Sequence, residues 1–143
     1  MITVEKQITI QLVHSWDEYE IAELYRAGGW WKEEYNESDL RHLMRGSYLF
    51  AVAVDTKTGR AVGMGRIISD GFSDGYIQDL VVLPEYRKTG IGGRIVAALV
   101  NKCVEQGISW IGLIAEPTTE KFYLPYGFQR MEGHTPLLFR RDL

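Results

Sequence analysis

The sequence predicts an α/β layered fold: a mixed, mostly antiparallel central sheet of six to seven strands with flanking helices. Three observations predict it. Two β-rich runs between residues 48 and 68 are joined by a Gly/Asp-containing turn, which reads as an antiparallel pair. Residues 76–115 run strand, helix, strand, the order of a parallel pair with a right-handed crossover. The chain has 143 residues, 45% of them hydrophobic, enough for one core and too few for two, so a single domain over 1–143 is expected.

Each element has its own justification. Ile8, Ile10 and Leu12 alternate with polar neighbours, the period-two pattern of a strand with one buried face. From Asp17 to Tyr25 the apolar positions Tyr19, Ile21, Ala22, Leu24 and Tyr25 follow helical spacing, which Gly28 and Gly29 end. Asn36 or Ser38 can cap a second short helix that carries Leu40, Leu43 and Met44 and closes at Gly46. Tyr48–Val54 and Ala61–Ile68 form the hairpin, with DTKTGR as its turn. After the turn SDGFSDG comes a strand from Tyr76 to Leu83, apolar except for Gln78 and Asp79. Ile91, Ile95, Leu99 and Cys103 recur every four residues, flanked by Val96, Val100 and Val104, so residues 91–106 should be a helix with a wide buried face. Trp110–Ala115 is a short buried strand, Glu120–Tyr123 a short helix, LPYGF a turn and Pro136–Arg140 a closing strand.

Composition removes several classes of function. A formal net charge of -3 argues against a nucleic-acid surface. Cys103 is the only cysteine, so neither an intramolecular disulfide nor a cysteine-rich metal site can form, and a reducing cytoplasm fits best. His14, His42 and His134 have no second ligand at useful spacing, so no metal is expected. The opening MITVEKQITI has neither signal-peptide order nor a membrane-spanning run, so no membrane is expected as partner. Exposed strand edges would allow a homodimer.

The stretch EYRKTGIGGRIV joins the strand ending in LVVL to the helix starting at Ile91. Helix N-termini carry unpaired NH groups and partial positive charge, and glycines there let an anion approach the backbone. The stretch lacks GxxxxGK[ST], and Ile95 stands where GxGxxG needs its last glycine. Glycines that serve only a tight turn remain the alternative. The pattern R-x-x-G-x-G at Arg87, Gly90 and Gly92, directly after LVVLPEY, resembles the acyl-coenzyme A motif of the GNAT acetyltransferase superfamily. The order of strands, the hairpin and the closing FYLPYGF are similar to that family as well.

This resemblance implies a GNAT fold in which a parallel strand pair splays around acetyl-coenzyme A as co-substrate. The pyrophosphate would lie among Arg87, Lys88, Thr89, Gly90, Ile91, Gly92 and Gly93, while Leu80, Val81 and Val82 would offer backbone groups to the pantetheine arm. Arg87 and Lys88 complement phosphate charge, with an ordinary solvated cation as the alternative for either. Tyr123 stands where similar enzymes place the tyrosine that protonates the leaving thiolate.

Acetyl transfer to an amine also needs a proton acceptor and stabilisation of the oxyanion. Asp79, an ionisable residue within an apolar strand, is the first candidate base, with a purely structural carboxylate as the alternative. Glu116, following the strand at 110–115, is the second, unless AEPTTE is only a solvated turn. Gln78 points to the opposite sheet face from Asp79 and can bind substrate. In the family, the region after the first strand forms one wall of the acceptor site, which here contains Trp30 and Trp31. Aromatic rings beside the carboxylates Glu33 and Glu34 suit an organic cation; core anchoring is the alternative.

The expectation is an N-acetyltransferase acting by direct attack of a primary amine, of a small molecule or a lysine side chain. Two other readings stay open: a non-catalytic module that senses acyl-coenzyme A, and a small-molecule resistance or chaperone-like binder using the tryptophan-rich wall.

Overall fold

Hydrophobic alternation is realised as one five-stranded sheet in chain order: β1 (Ile8–Leu12), β2 (Leu49–Asp55), β3 (Arg60–Ile68), β4 (Asp74–Val82) and β5 (Trp110–Gly112). The structure is a computed structural model that describes residues 7–141. Its chain divides into two compact units, Met1–Leu113 and Ile114–Leu143. The first holds the whole sheet with α1 (Glu18–Ala27), α2 (Leu40–Gly46) and α3 (Ile91–Glu105); the second holds α4 (Glu120–Tyr123).

The first three strand junctions are antiparallel and β4 with β5 is parallel, so the sheet is mixed as expected. Every residue of β2 is buried, which requires cover on both faces. Helix α3 covers one face with Ile91, Ile95, Val96, Leu99 and Cys103. Its approach to β3 depends on two missing side chains. A Cβ on Gly63 would stand 3.1 Å from the Ile95 side chain, and one on Gly65 would stand 3.0 Å from Ile95 and 3.3 Å from Leu99. Helix α1 is capped by Asp17, whose Oδ1 accepts from the Glu20 amide at 3.0 Å, and buries Ile21, Ala22, Leu24 and Tyr25. The Asn36 side chain caps the 3-10 turn Glu37–Asp39 that leads into α2.

Two expected strands change. Only Trp110–Gly112 of the segment 110–115 is a strand, because among the described residues β5 pairs only with Asp74, Gly75 and Tyr76 of β4. Residues 136–140 form no strand among the described residues. Leu137, Leu138 and Phe139 there are 85–90% exposed, since β-prone side chains make a strand only beside an edge that accepts their backbone groups. Among the described residues the sheet therefore has five strands, fewer than the six to seven expected.

The Gly65 approach gives a direct test. Gly65→Val should lower unfolding free energy by about 1–3 kcal/mol in a urea titration, from overpacking against Ile95 and Leu99. An unchanged midpoint would mean that α3 is not seated there.

Candidate active site

The chain leaves β4 through the 3-10 turn Pro84–Tyr86 and reaches the N-terminus of α3 at Gly90. Lys88 has φ 63° and Gly90 φ 84°, so two left-handed residues turn the backbone just ahead of the helix. Gly90 is needed there for that conformation and not for space, since a Cβ on it would meet nothing within 4 Å. No side chain caps this end, so the first-turn amides are presented bare. The loop itself is tied down: Tyr86 donates its hydroxyl to the buried carboxylate of Asp55 at 2.7 Å, and Thr89 Oγ1 donates to the Tyr86 carbonyl at 2.6 Å. Arg94, on the first turn of α3, donates to the Ile8 carbonyl at 2.9 Å and so fastens the helix to β1.

Beside this junction β4 has an open edge. Its pairing with β5 ends at Tyr76↔Gly112, while pairing with β3 continues to Gly63↔Val82. Backbone groups alternate sides along a strand. The Leu83 amide donates to Val62 of β3, so the polar groups of Val82 face away from β3, towards the open side. There the Val82 carbonyl accepts from Arg87 Nε at 2.8 Å. Val81, one residue earlier, turns its backbone groups to β3 opposite Met64, so Val82 and not Val81 supplies the open edge here.

Between the last β5 pair and Val82, β4 carries a bulge. Met64 pairs with Val81 and Arg66 with Gln78, leaving Asp79 and Leu80 together opposite Gly65. Asp79 has φ 61°, uncommon for a residue with a side chain. Its Oδ2 accepts from the Tyr25 hydroxyl of α1 at 2.7 Å and from Arg66 Nε of β3 at 2.7 Å. The Arg66 and Asp79 side chains are only 16% and 15% exposed, so the pair is shielded from screening by solvent. Arg66 extends the cluster, donating to Gln78 Oε1 at 3.2 Å and to Ser47 Oγ at 3.4 Å. Burial, then the Asp79 charge, pushes the Tyr25 phenol far above its usual range, so its hydroxyl stays a donor. Asp79 and Gln78 are thus brought together with Tyr25 and Arg66, two residues the sequence reading did not select.

The aromatic wall is largely self-satisfied. Trp30 packs edge-on against Tyr25, ring centroids 6.2 Å apart, and a Cβ on Gly28 would lie 2.5 Å from the Trp30 ring. Arg26 lies over Trp31 at 5.4 Å and Lys32 over Tyr35 at 5.9 Å, so the chain's own cations already use both rings. Trp30 is therefore coupled to the Asp79 cluster through Tyr25.

In the second unit, Tyr123 is half-buried between Phe122 and Phe128, with ring centroids 4.9 and 5.9 Å away. Burial, then the charge of Glu116, raises its phenol pKa, so the group is held protonated. Glu116 is exposed, and its backbone carbonyl receives Thr119 Oγ1 at 2.7 Å. The second unit is braced by Arg130, which donates to both oxygens of Glu120. Elsewhere, burial pushes the Cys103 thiol up, which leaves it an inert core group. No cluster of three or more His, Cys, Asp or Glu suited to a metal ion occurs among the described residues, and no described helix is long and apolar enough to cross a membrane.

Solved acetyltransferase structures share this fold. A probable acetyltransferase from Staphylococcus aureus superposes with a TM-score of 0.78 at 20% identity, covering 94% of this chain and 99% of that one. The structure of AAC(6')-Iy in complex with the bisubstrate analogue CoA-S-monomethyl-acetylneamine gives 0.71 at 15% identity, covering 96% and 99%. In sequence, residues 20–136 match the model of the acetyltransferase (GNAT) domain, and the chain belongs to that family. An uncharacterized N-acetyltransferase, ycf52, of Porphyra purpurea is 27% identical over 110 residues, which are 77% of this chain and 63% of that protein. The chain spans between about a third and two thirds of the length of the curated relatives it matches first.

The raised Tyr25 phenol fixes the sign of one pH effect. Its folded-state pKa lies above the ordinary ~10, so its contribution is fully present below that value. It is lost as pH rises beyond it, because only the unfolded chain then releases the proton. Stability followed by urea titration above about pH 10 should fall less steeply in Tyr25→Phe than in the parent chain. Equal slopes would mean that Tyr25 is not engaged as described.

Proposed function

We propose that the chain works as one N-acetyltransferase domain over 1–143, moving the acetyl group of acetyl-coenzyme A to a primary amine of a small molecule or a lysine side chain. The observation that carries this reading is the pairing, within one unit, of an open β4 edge with a bare glycine-capped helix N-terminus. An extended amide-bearing arm with a diphosphate at one end matches both features. The GNAT family membership and the coenzyme A analogue bound by AAC(6')-Iy support the same ligand.

In this proposal the amides of residues 88–93 hold the pyrophosphate, with Arg87 and Lys88 as its charge partners. Leu80 and Val82 hydrogen-bond the pantetheine arm, and Arg87 then leaves the Val82 carbonyl for phosphate. The neutral amine attacks the thioester carbonyl, forming the C–N bond and a tetrahedral oxyanion that a strand amide near Leu80 stabilises. Collapse of the oxyanion breaks the C–S bond, and the resemblance to the family assigns the leaving thiolate's proton to Tyr123. The amine proton passes to a carboxylate, directly or through water, and from there restores Tyr123. Glu116 takes that role here, because Asp79 already accepts two hydrogen bonds on one oxygen. Trp30 and Gln78 line the acceptor side, while Trp31 is braced by Arg26. A cytoplasmic or other reducing compartment suits the single free thiol.

Calorimetry with coenzyme A, followed by thiol release from acetyl-coenzyme A across an amine library, tests the reading. Saturable binding with amine-dependent release is expected, and absence of binding at about 1 mM contradicts it. Gly90→Val should weaken coenzyme A binding by roughly tenfold or more, because a β-branched residue resists the left-handed conformation. Tyr123→Phe should lower kcat by about ten- to a hundredfold while leaving coenzyme A affinity nearly intact; unchanged kcat removes Tyr123 from its role.

A further inference from the structure

We infer that Asp79 is a positioning residue. Gripped by Tyr25 of α1 and Arg66 of β3, its carboxylate holds the β4 bulge in the shape that keeps the Leu80–Val82 edge available to an extended ligand. The inference rests on the reading of that edge as the pantetheine site, and it assigns Tyr25 and Arg66 to the same task.

Three observations converge on it. First, the bulge and the loss of β5 pairing are adjacent: β4 is last paired to β5 at Tyr76, and the register shift against β3 falls at Asp79 and Leu80. A bulge re-aims its strand, so the conformation of Asp79 decides where Leu80 and Val82 point. Second, Asp79 sits at φ 61°, a state that persists only when its surroundings over-determine it. The surroundings that do so are visible: two donors from two different elements meet on one oxygen, at 2.7 Å each. Third, those donors are themselves placed. Tyr25 is buried and packed against Trp30, and Arg66 is bonded onward to Gln78 and Ser47. A carboxylate held this way suits fixing a backbone better than visiting a substrate amine.

The arrangement also links the two sides of the site. Tyr25 belongs to the helix that leads into the aromatic wall, and Asp79 belongs to the strand that carries the proposed cofactor edge. One hydroxyl hydrogen bond therefore joins the acceptor side to the cofactor side.

The test is a double-mutant cycle with Tyr25→Phe and Asp79→Asn, measured on the full chain. Asn tolerates the left-handed conformation, so Asp79→Asn changes the charge and hydrogen bonding with little backbone penalty. Each single variant should raise the Kd for coenzyme A by roughly five- to tenfold, and the double variant by no more than the worse single, because both remove one interaction. The kcat at saturating acetyl-coenzyme A and amine should stay within about threefold. Hydrogen exchange of the 78–83 backbone, read without any ligand, should be faster in both variants than in the parent.

Unchanged exchange and unchanged Kd in Tyr25→Phe would overturn the inference. So would a loss of kcat by about a hundredfold in Asp79→Asn with Tyr25→Phe normal, the signature of a base. If the parent chain binds no coenzyme A, the function reading fails, and the ligand-free exchange still reports whether the grip shapes the edge.

Discussion

The rest of the structure depends on one local departure from regular pairing, the bulge at Asp79 and Leu80 opposite Gly65. β4 pairs with β5 over three residues only, and past the bulge its edge is left open next to the helix that begins at Ile91. The bulge is held by side chains and not by backbone alone. A carboxylate with two donors on one oxygen, partly shielded from water, fixes a conformation that an isolated Asp visits only occasionally.

Position along the sheet explains why the parts of the site come together. Gly63 and Gly65 let α3 settle close against β3, which sets the height of the helix N-terminus over the sheet. Tyr86 on Asp55, Thr89 on Tyr86 and Arg94 on Ile8 then fasten the intervening loop and the first turn of α3. The result is a fixed row of amides at the end of a strand edge that β5 does not cover. Such pre-organisation lowers the entropy lost on binding a flexible cofactor arm.

Much of this architecture was legible in the sequence because it rests on periodicity. The four-residue recurrence of Ile91, Ile95, Leu99 and Cys103 and the alternation of Ile8, Ile10 and Leu12 correspond to α3 and β1 nearly to the residue. The glycine junction was legible because backbone exposure at a helix start needs small residues at fixed positions. The closing strand failed because β-propensity at Pro136–Arg140 says nothing about whether a pairing edge exists. The Tyr25, Arg66 and Asp79 cluster was only half legible. Asp79 stood out as a charge in an apolar strand, and Arg66 in RAVGMGRII carried the same signal unnoticed. Their meeting depends on a register shift that no spacing rule reveals, and Tyr25 looked like one more core position on α1.

The central claim is that the open β4 edge and the α3 N-terminus together receive coenzyme A. Its most direct test is a backbone amide NMR titration of the chain with coenzyme A. The account predicts that the largest shift changes fall on Leu80, Val82 and residues 88–93, moving together along one saturation curve. Changes concentrated elsewhere, for instance around Trp31 and Tyr35 with the glycine junction silent, would contradict it.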